Sequence, residues 1–416
     1  MIDNENTILG QFMRYIHKVY RIGEHVHQIK DYRKRRSIKL STCAYLLIFA
    51  FAFRVSSFNE IQFWIEERRT RFGHLFKKGT RLPKIDALRD IVKMMQIEDV
   101  QNLFDSVIDK LAENKVLREH TINELRVAAV DGVEVFSSRL KYCPDCLTRK
   151  VGEEEEYFHK AVACMTVGCD PHIILGMEML KPKQDNSPKG EGEMTGVKRL
   201  LTDLHKRHYH FADVIVADAL YMNAPFINLV KDIGMDVVIR AKNERLNIVQ
   251  DALGMFSGRA CDDTFRDTNR RVEVWDEDNF HMEGTPENIR FLKFVERWKA
   301  AKSGKEQHRE MWCITTLDKG ISAHTVWLIM RKRWDIENNG FRMLKTYFHA
   351  DHCYIHGEGA DEKVLMFIMT AFNLMELFLF RRIKKFREQR MTRKHMVEHM
   401  WDELLLEDYS KYYESG

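Results

Sequence analysis

Cysteine is scarce: eight in 416 residues. That excludes a disulfide scaffold and, in a chain whose first residues MIDNENTILG lack a basic segment followed by an apolar one, leads us to expect reduced thiols and no secretory signal. Long hydrophobic runs are also missing. The longest, from Ala44 to Phe53, falls well short of the ~20 residues that span a bilayer, so no membrane partner is expected. Proline is almost absent from the first 118 residues, where Pro83 in GTRLPK stands alone and apolar residues recur at three and four spacings; this stretch reads as helical, without strands. Neither sign of charge dominates. With 66 Lys and Arg against 62 Asp and Glu, the net +4 does not by itself single out nucleic acid as a partner. There is no internal repeat, and the acidic run at 153–156 is too short to be a low-complexity tract.

What is present begins with a 44% hydrophobic content, enough for a large core, over a length that suggests two or three domains. Basic charge is gathered at two places. Residues 1–120 hold 22 Lys and Arg against 15 Asp and Glu, and residues 381–400 (RRIKKFREQRMTRKHMVEHM) hold eight against two. Either stretch could follow a phosphate backbone or could be a solvated helix face. Phe51, Phe53, Phe58, Phe63, Trp64, Leu75 and Phe76 can serve several small helices beside the RKRRSIK run at 33–39. A helical DNA-binding domain is consistent with this, though no helix-turn-helix signature identifies a recognition helix.

From Leu125 the texture changes to short apolar runs parted by turns. LRVAAV (125–130) reads as a strand ending at Asp131, and HKAVACMTVG (159–168) with HIILGMEML (172–180) as a hairpin. A helix over 193–207, the strand DVIVAD (213–218), a helix over 223–233 and the strand DVVIRAK (236–242) follow. Three strands, helix, strand, helix, strand is the order of a ribonuclease-H-like mixed α/β sheet flanked by helices. Residues 243–323 interrupt it with β-rich runs, RVEVW, IRFLKFVERW and EMWCITTL, before helices from Thr325 and from Lys363 to Phe380. The expected division is a helical N-terminal DNA-binding domain (1–118), a catalytic core (119–242 and 324–384), a β insertion (243–323) and a helical tail (385–416).

Cutting a phosphodiester with bound metal requires carboxylates brought together from distant parts of the chain, because hard cations prefer oxygen ligands. Asp131 and Asp218 each end an apolar strand, and parallel neighbours would set them side by side at the edge where open α/β sheets place their sites. Taken singly, either could instead start a turn, and Asp218 could cap the helix beginning near Asn223. Glu337 lies in MRKRWDIENNGFRMLKTYF, where Met330, Arg333 and Glu337 share a helical face. On a surface helix, Arg333 and Glu337 would be an ordinary ion pair worth ~0.3–0.5 kcal/mol.

The strings DGVEVFSS, VADALYMNAPF and RWDIENNGFRMLK, with GEGEMTGVKRLL and VVIRAKNER between them, resemble over residues 120–380 the cut-and-paste DDE insertion-sequence transposases. The signature of that family is Tyr, two residues, Arg, three, Glu, six, Lys. Two positions depart from it: Met330 stands at the tyrosine, and Lys345 lies one residue late, where an unbroken helix would carry it ~80° from Glu337 and leave Leu344 ~20° away. A π-bulge at Asn338, Asn339 and Gly340 would absorb the extra residue. The resemblance implies Asp131, Asp218 and Glu337 as catalytic and metal-binding residues, with Mg2+ or Mn2+, two ions in all. It further implies cleavage at transposon ends by metal-activated water, joining of the freed 3′ hydroxyl to target DNA, and a homodimer on terminal inverted repeats in a prokaryotic cytoplasm, at the nucleoid. Arg333, Lys345, Arg240 and Lys242 are the phosphate-contact candidates. Trp275, Trp298 and Trp312 could each stack a flipped base or lie in the core, with Trp298 taken as the DNA contact. A transposon-derived DNA-binding protein that no longer cuts, and a nuclease of the same fold without strand transfer, are the alternative functions.

Other polar groups are less telling. Cys143 and Cys146 form a CPDC pair, half of a zinc site, but His159, Cys164, Cys169 and His172 offer no matching second half, so structural zinc is not expected. Glu178, Asp185, Glu191 and Glu193 lie between the two aspartates and could supply a fourth carboxylate; they are read as structural, with Glu193 in the first turn of a helix.

Overall fold

The computed structural model describes residues 7–34, 36–66, 72–119, 121–183, 190–242, 246–300, 304–357, 359–383, 386, 388, 391–406 and 408–413. Its centre is a single sheet of ten strands. They are β1 (Val127–Ser138), β2 (Leu147–Val151), β3 (Glu154–Thr166), β4 (Ile174–Met179), β5 (Val214–Ala217), β6 (Asp236–Ala241), β7 (Asp263–Asp267), β8 (Arg270–Phe280), β9 (Ile289–Lys299) and β10 (Glu306–Thr315). The order across the sheet is β2-β3-β1-β5-β6-β10-β9-β8-β7, with β4 also paired to β3. β5 lies parallel to both β1 and β6, and the other pairings are antiparallel. Unbroken apolar stretches such as Val214–Ala217, buried at every residue, are what a strand covered on both faces requires. The helices Glu193–His208 and Ala224–Asp232 make the crossovers into β5 and β6. The series β4-β3-β1-β5-β6 is thus the ribonuclease-H-like order expected from the sequence.

Three features differ from the sequence reading. β1 does not stop at Asp131 but runs on to Ser138, antiparallel to β3, with a bulge between Glu134 and Phe136. β2 went unseen because only Leu147 of its five residues is buried, which leaves no apolar alternation to detect. The β-rich insertion does not stand apart: β10 pairs with β6, Trp312 opposite Ala241 through Thr315 opposite Val238, so residues 243–323 extend the core sheet.

Helices cover the other side. Leu40–Ala52 is buried at every residue, as befits a helix apolar all round, and it packs against Ala360–Arg381, which Ile97–Glu113 also contacts. Ala360–Arg381 is long and apolar enough to cross a membrane, but 94% of its most apolar window is buried within the protein, as a core helix. Asn373 on it donates to the carbonyl of Ile174 and accepts from its N–H, both at 2.9 Å, which satisfies backbone groups of β4. The chain ends interlock. Glu403 accepts from the N–H groups of Ile8 (3.0 Å) and Leu9 (2.6 Å), capping the first helix, and Trp401 packs against Phe53 and Trp64. Helices from residues 1–118 and from 385–416 therefore share one apolar body. The middle of the basic stretch at 381–400, and Arg35 of the RKRRSIK run, lie outside the described residues.

Candidate active site

The parallel register places the two aspartates. Ala129 pairs with Val216, and Asp131 and Asp218 each lie two residues further on, so they occupy equivalent positions on adjacent strands. Asp218 follows the last residue of β5. It caps nothing: the short 3-10 turn Ala219–Tyr221 receives no side-chain bond from it, and Asn223 caps Ala224–Asp232 by accepting from Phe226 N–H. Among the described residues, Asp218 Oδ1 is buried without a hydrogen-bond partner, with only the Lys242 ammonium at 3.9 Å. A buried carboxylate oxygen lacking a donor is costly unless a cation completes it.

Glu337 reaches Asp131 through Arg333. That guanidinium, 4% exposed, donates to Asp131 Oδ2 at 3.2 Å and pairs with Glu337 Oε1 at 3.0 Å, so one buried cation spans both carboxylates. The helix beneath is irregular. Ile336–Phe341 is a π-helix, in which Arg342 N–H bonds to the Glu337 carbonyl five residues back. This is the break expected at Asn338–Gly340. With one residue absorbed, Lys345 returns to within ~20° of Glu337 instead of ~80°. Leu344 is buried, while Lys345 is half-buried. Tertiary contacts hold the π-helix in place: Asp335 accepts from Gly168 N–H at 3.0 Å and pairs with His172 at 3.3 Å, and Gly340 lies flat against Met165 of β3.

A fourth carboxylate joins the group. Glu193, at the start of its helix, is held by Lys160 (2.6 Å) and the Tyr221 hydroxyl (2.9 Å), and a Cβ added to Gly132 would come within 2.4 Å of it. The sequence reading weighed Glu193 and favoured a role in the helix. What it could not show is that β1 continues past Asp131 and brings Gly132 against the helix start. Burial pushes Asp131 up to about 6; the Gly132 N–H and Arg333 work against this, and the charges of Glu337 and Glu193 add to it. Glu178 and Glu191 instead share Arg199, at 2.7 and 2.6 Å, and Asp185 lies outside the described residues.

Such a constellation, hard oxygens converging from two strands and a helix with one oxygen unpartnered, suits a divalent cation. Residues 166–374, half of the chain, match the family model described as the transposase DDE domain. The chain belongs to the DDE transposase family. The matched segment contains Asp218 and Glu337 and begins after Asp131. No curated protein matches the chain.

Arg333, Arg240 and Lys242 of this transposase bring positive charge to the carboxylates. Arg240 and Arg333 line a cleft of about 270 Å³ with Arg309, Met311, Met330, Arg331 and Trp334. Lys242 stands beside Asp218. Trp298 lies elsewhere, in a groove of about 510 Å³ shared by β7, β8, β9 and β10, with the Arg270 guanidinium 4.2 Å above its ring and Arg266, Arg271, Arg297 and Lys299 nearby. Trp275 and Trp312 sandwich the Lys293 ammonium at 5.0 and 4.8 Å; none of the three tryptophans is fully buried, unlike Trp327.

Proposed function

We propose that this protein is a cut-and-paste DNA transposase of the insertion-sequence kind. Asp131, Asp218 and Glu337 are its catalytic residues, holding two divalent cations, Mg2+ or Mn2+. The observation that carries this reading is the unpartnered buried oxygen of Asp218 beside Asp131, whose proton affinity is raised first by burial and further by the charges of Glu337 and Glu193. When bound, the cations would supply activation of the attacking oxygen and stabilisation of the leaving one. The protein's own part is positional. Arg333 keeps Asp131 and Glu337 within reach of a shared centre, and Lys242, Arg240 and Lys345 offer positive charge to the phosphates on either side. The basic clefts beside β10 and around Trp298 would carry the strands, with Trp298 free to stack a base on its open face. The helices of residues 1–118 and the basic tail after 385 would hold the inverted repeats, and two chains would pair two transposon ends.

The test is cleavage of DNA carrying the element's own ends, with Mg2+, by the wild type and by Asp131→Ala, Asp218→Ala and Glu337→Ala. Each substitution is expected to reduce strand cleavage and strand transfer at least about 1000-fold while leaving DNA binding measurable. Equal activity in all four proteins would remove the catalytic assignment. Cleavage without joining would leave a nuclease, and binding without cleavage by the wild type a DNA-binding protein.

A further inference from the structure

Apart from the carboxylates, a second cluster gathers around the CPDC pair. Cys143 and Cys146 sit in the loop between β1 and β2, His159 lies on β3, and His356 comes from the loop joining the Arg342–Phe348 helix to Ala360–Arg381. The two sulfurs are 3.6 Å apart. His159 Nε2 lies 3.3 Å from Cys143 Sγ and 3.2 Å from Cys146 Sγ, and His356 Nε2 lies 3.3 Å from Cys146 Sγ; all four ligand atoms fall within 4.8 Å of one another. We propose that Cys143, Cys146, His159 and His356 form a structural zinc site that ties the far end of β1 to the segment following the Glu337 helix.

The geometry matches the metal. Zinc bound at ~2.3 Å to sulfur and ~2.0–2.1 Å to nitrogen in a tetrahedron places its ligands about 3.3–3.8 Å apart, close to the four distances given above. The surroundings are those of thiolate and imidazole ligands. Backbone N–H groups of Asp145 and Cys143 donate to the sulfurs of Cys143 and Cys146 respectively, and Cys146 N–H closes the turn onto the Cys143 carbonyl at 3.1 Å. His159 donates from Nδ1 to Asp361, which leaves Nε2 as the lone-pair nitrogen facing the sulfurs, the carboxylate–histidine arrangement that orients metal ligands. Gly357 beside His356 has φ +86°, and a Cβ there would approach Cys143 Cβ to 3.2 Å, so the loop is shaped to bring His356 onto the pair. Four protein ligands leave no open position, which makes the site structural rather than hydrolytic.

The expectation against zinc rested on the missing second half. That half is split: one histidine lies 13 residues after Cys146 in a strand, and the other 210 residues away, where no local spacing could announce it. The other metal-like grouping among the described residues, Asp170, His172 and Glu376, is accounted for by ion pairs, since His172 is bonded to Asp170 and Asp335, and Glu376 to Arg393.

The test uses the full chain, purified without chelator from zinc-supplemented cells, with metal content measured by plasma mass spectrometry. About one zinc per chain is expected. Cys146→Ser and His356→Ala should lose it. Asp361→Asn should keep the ligands but weaken zinc affinity about 10- to 100-fold in a competitive chelator titration. Asp218→Ala should leave zinc content unchanged, separating this site from the carboxylates. Cobalt in place of zinc should show intense visible bands and thiolate charge transfer. Folded wild type without zinc, or Cys146→Ser holding as much as wild type, would overturn the proposal. Should both variants prove insoluble, mercurial titration of wild-type thiols decides: zinc must leave as Cys143 and Cys146 react, and zinc retained after complete thiol modification overturns the site.

Discussion

The aspartates and the glutamate of the candidate site are placed by different means. Asp131 and Asp218 sit on neighbouring parallel strands, and once Ala129 is opposite Val216 their alignment follows from the two-residue repeat of the strand. Glu337 has no such guarantee. Its carboxylate meets Asp131 through the Arg333 bridge, on a helix whose extra residue before Lys345 is taken up by a π-helix anchored by Asp335, His172 and Gly340. Positions set by local periodicity tolerate change around them, whereas positions set by tertiary anchors depend on each anchor. Perturbing those anchors is the way to test the contrast.

The largest stability effect should come from Glu296. It is fully buried, paired with Arg270 at 2.8 Å and Arg331 at 3.1 Å, and it accepts from Trp327 Nε1 at 3.0 Å, so it fastens the Ala323–Lys332 helix, which leads into the π-helix, to β9. Glu296→Ala leaves two cations without their buried partner and should cost about 3–5 kcal/mol in urea unfolding. A loss under about 1 kcal/mol would mean that the helix is held mainly by packing. Arg333 comes next. Arg333→Met should lower Mg2+-dependent cleavage by the folded protein about 100-fold, near 2.7 kcal/mol, beyond what its loss of stability removes. If cleavage stays at the wild-type level, the π-helix alone suffices to place Glu337.

His172 makes the comparison sensitive to pH. Burial disfavours its charged form, but the bonds to Asp170 and Asp335 outweigh burial and raise it to about 9, above its ordinary 6.5. A folded-state value above the unfolded one means the pairing stabilises fully below about pH 6.5 and fades as pH rises through about 9. On the order of 2 kcal/mol should be lost across that window, and His172→Gln should flatten the profile there. A wild-type melting temperature constant from pH 6.5 to 9.5 would exclude a charged His172 as the anchor of Asp335.

These contrasts also mark what was legible in the sequence. The strand order and the neighbouring aspartates were visible because unbroken apolar runs such as VIVA and VAAV carry their own evidence of burial. The π-helix was visible only as a misfit, through Lys345 standing one place late. Contacts between distant segments left no trace. Glu193 approaches Asp131 only because β1 continues to Gly132 and beyond, His356 meets Cys146 across 210 residues, and the insertion joins the core through pairing of β10 with β6. In each case the information lies in which surfaces meet, and periodicity does not encode that.

The smallest prediction uses one substitution in two places. A Cβ on Gly340 would lie 2.7 Å from Met165 Sδ and 3.3 Å from its Cε, and Met165 is only 1% exposed on β3 with little room to yield. A Cβ on Gly254, inside the Asn247–Phe256 helix of the insertion, would meet nothing within 4 Å. Alanine favours a helix over glycine by about 0.5–1 kcal/mol at either site. At Gly254 that gain should appear almost undiminished, as a slightly higher melting temperature. At Gly340 overpacking costs about 1–3 kcal/mol, so the sign should reverse and the π-helix should shift away from β3. Because Glu337 rides on that segment, Gly340→Ala should lower cleavage more than its stability loss alone would, while Gly254→Ala leaves cleavage unchanged. Equal effects at the two glycines would show that contact with β3 does not position Glu337.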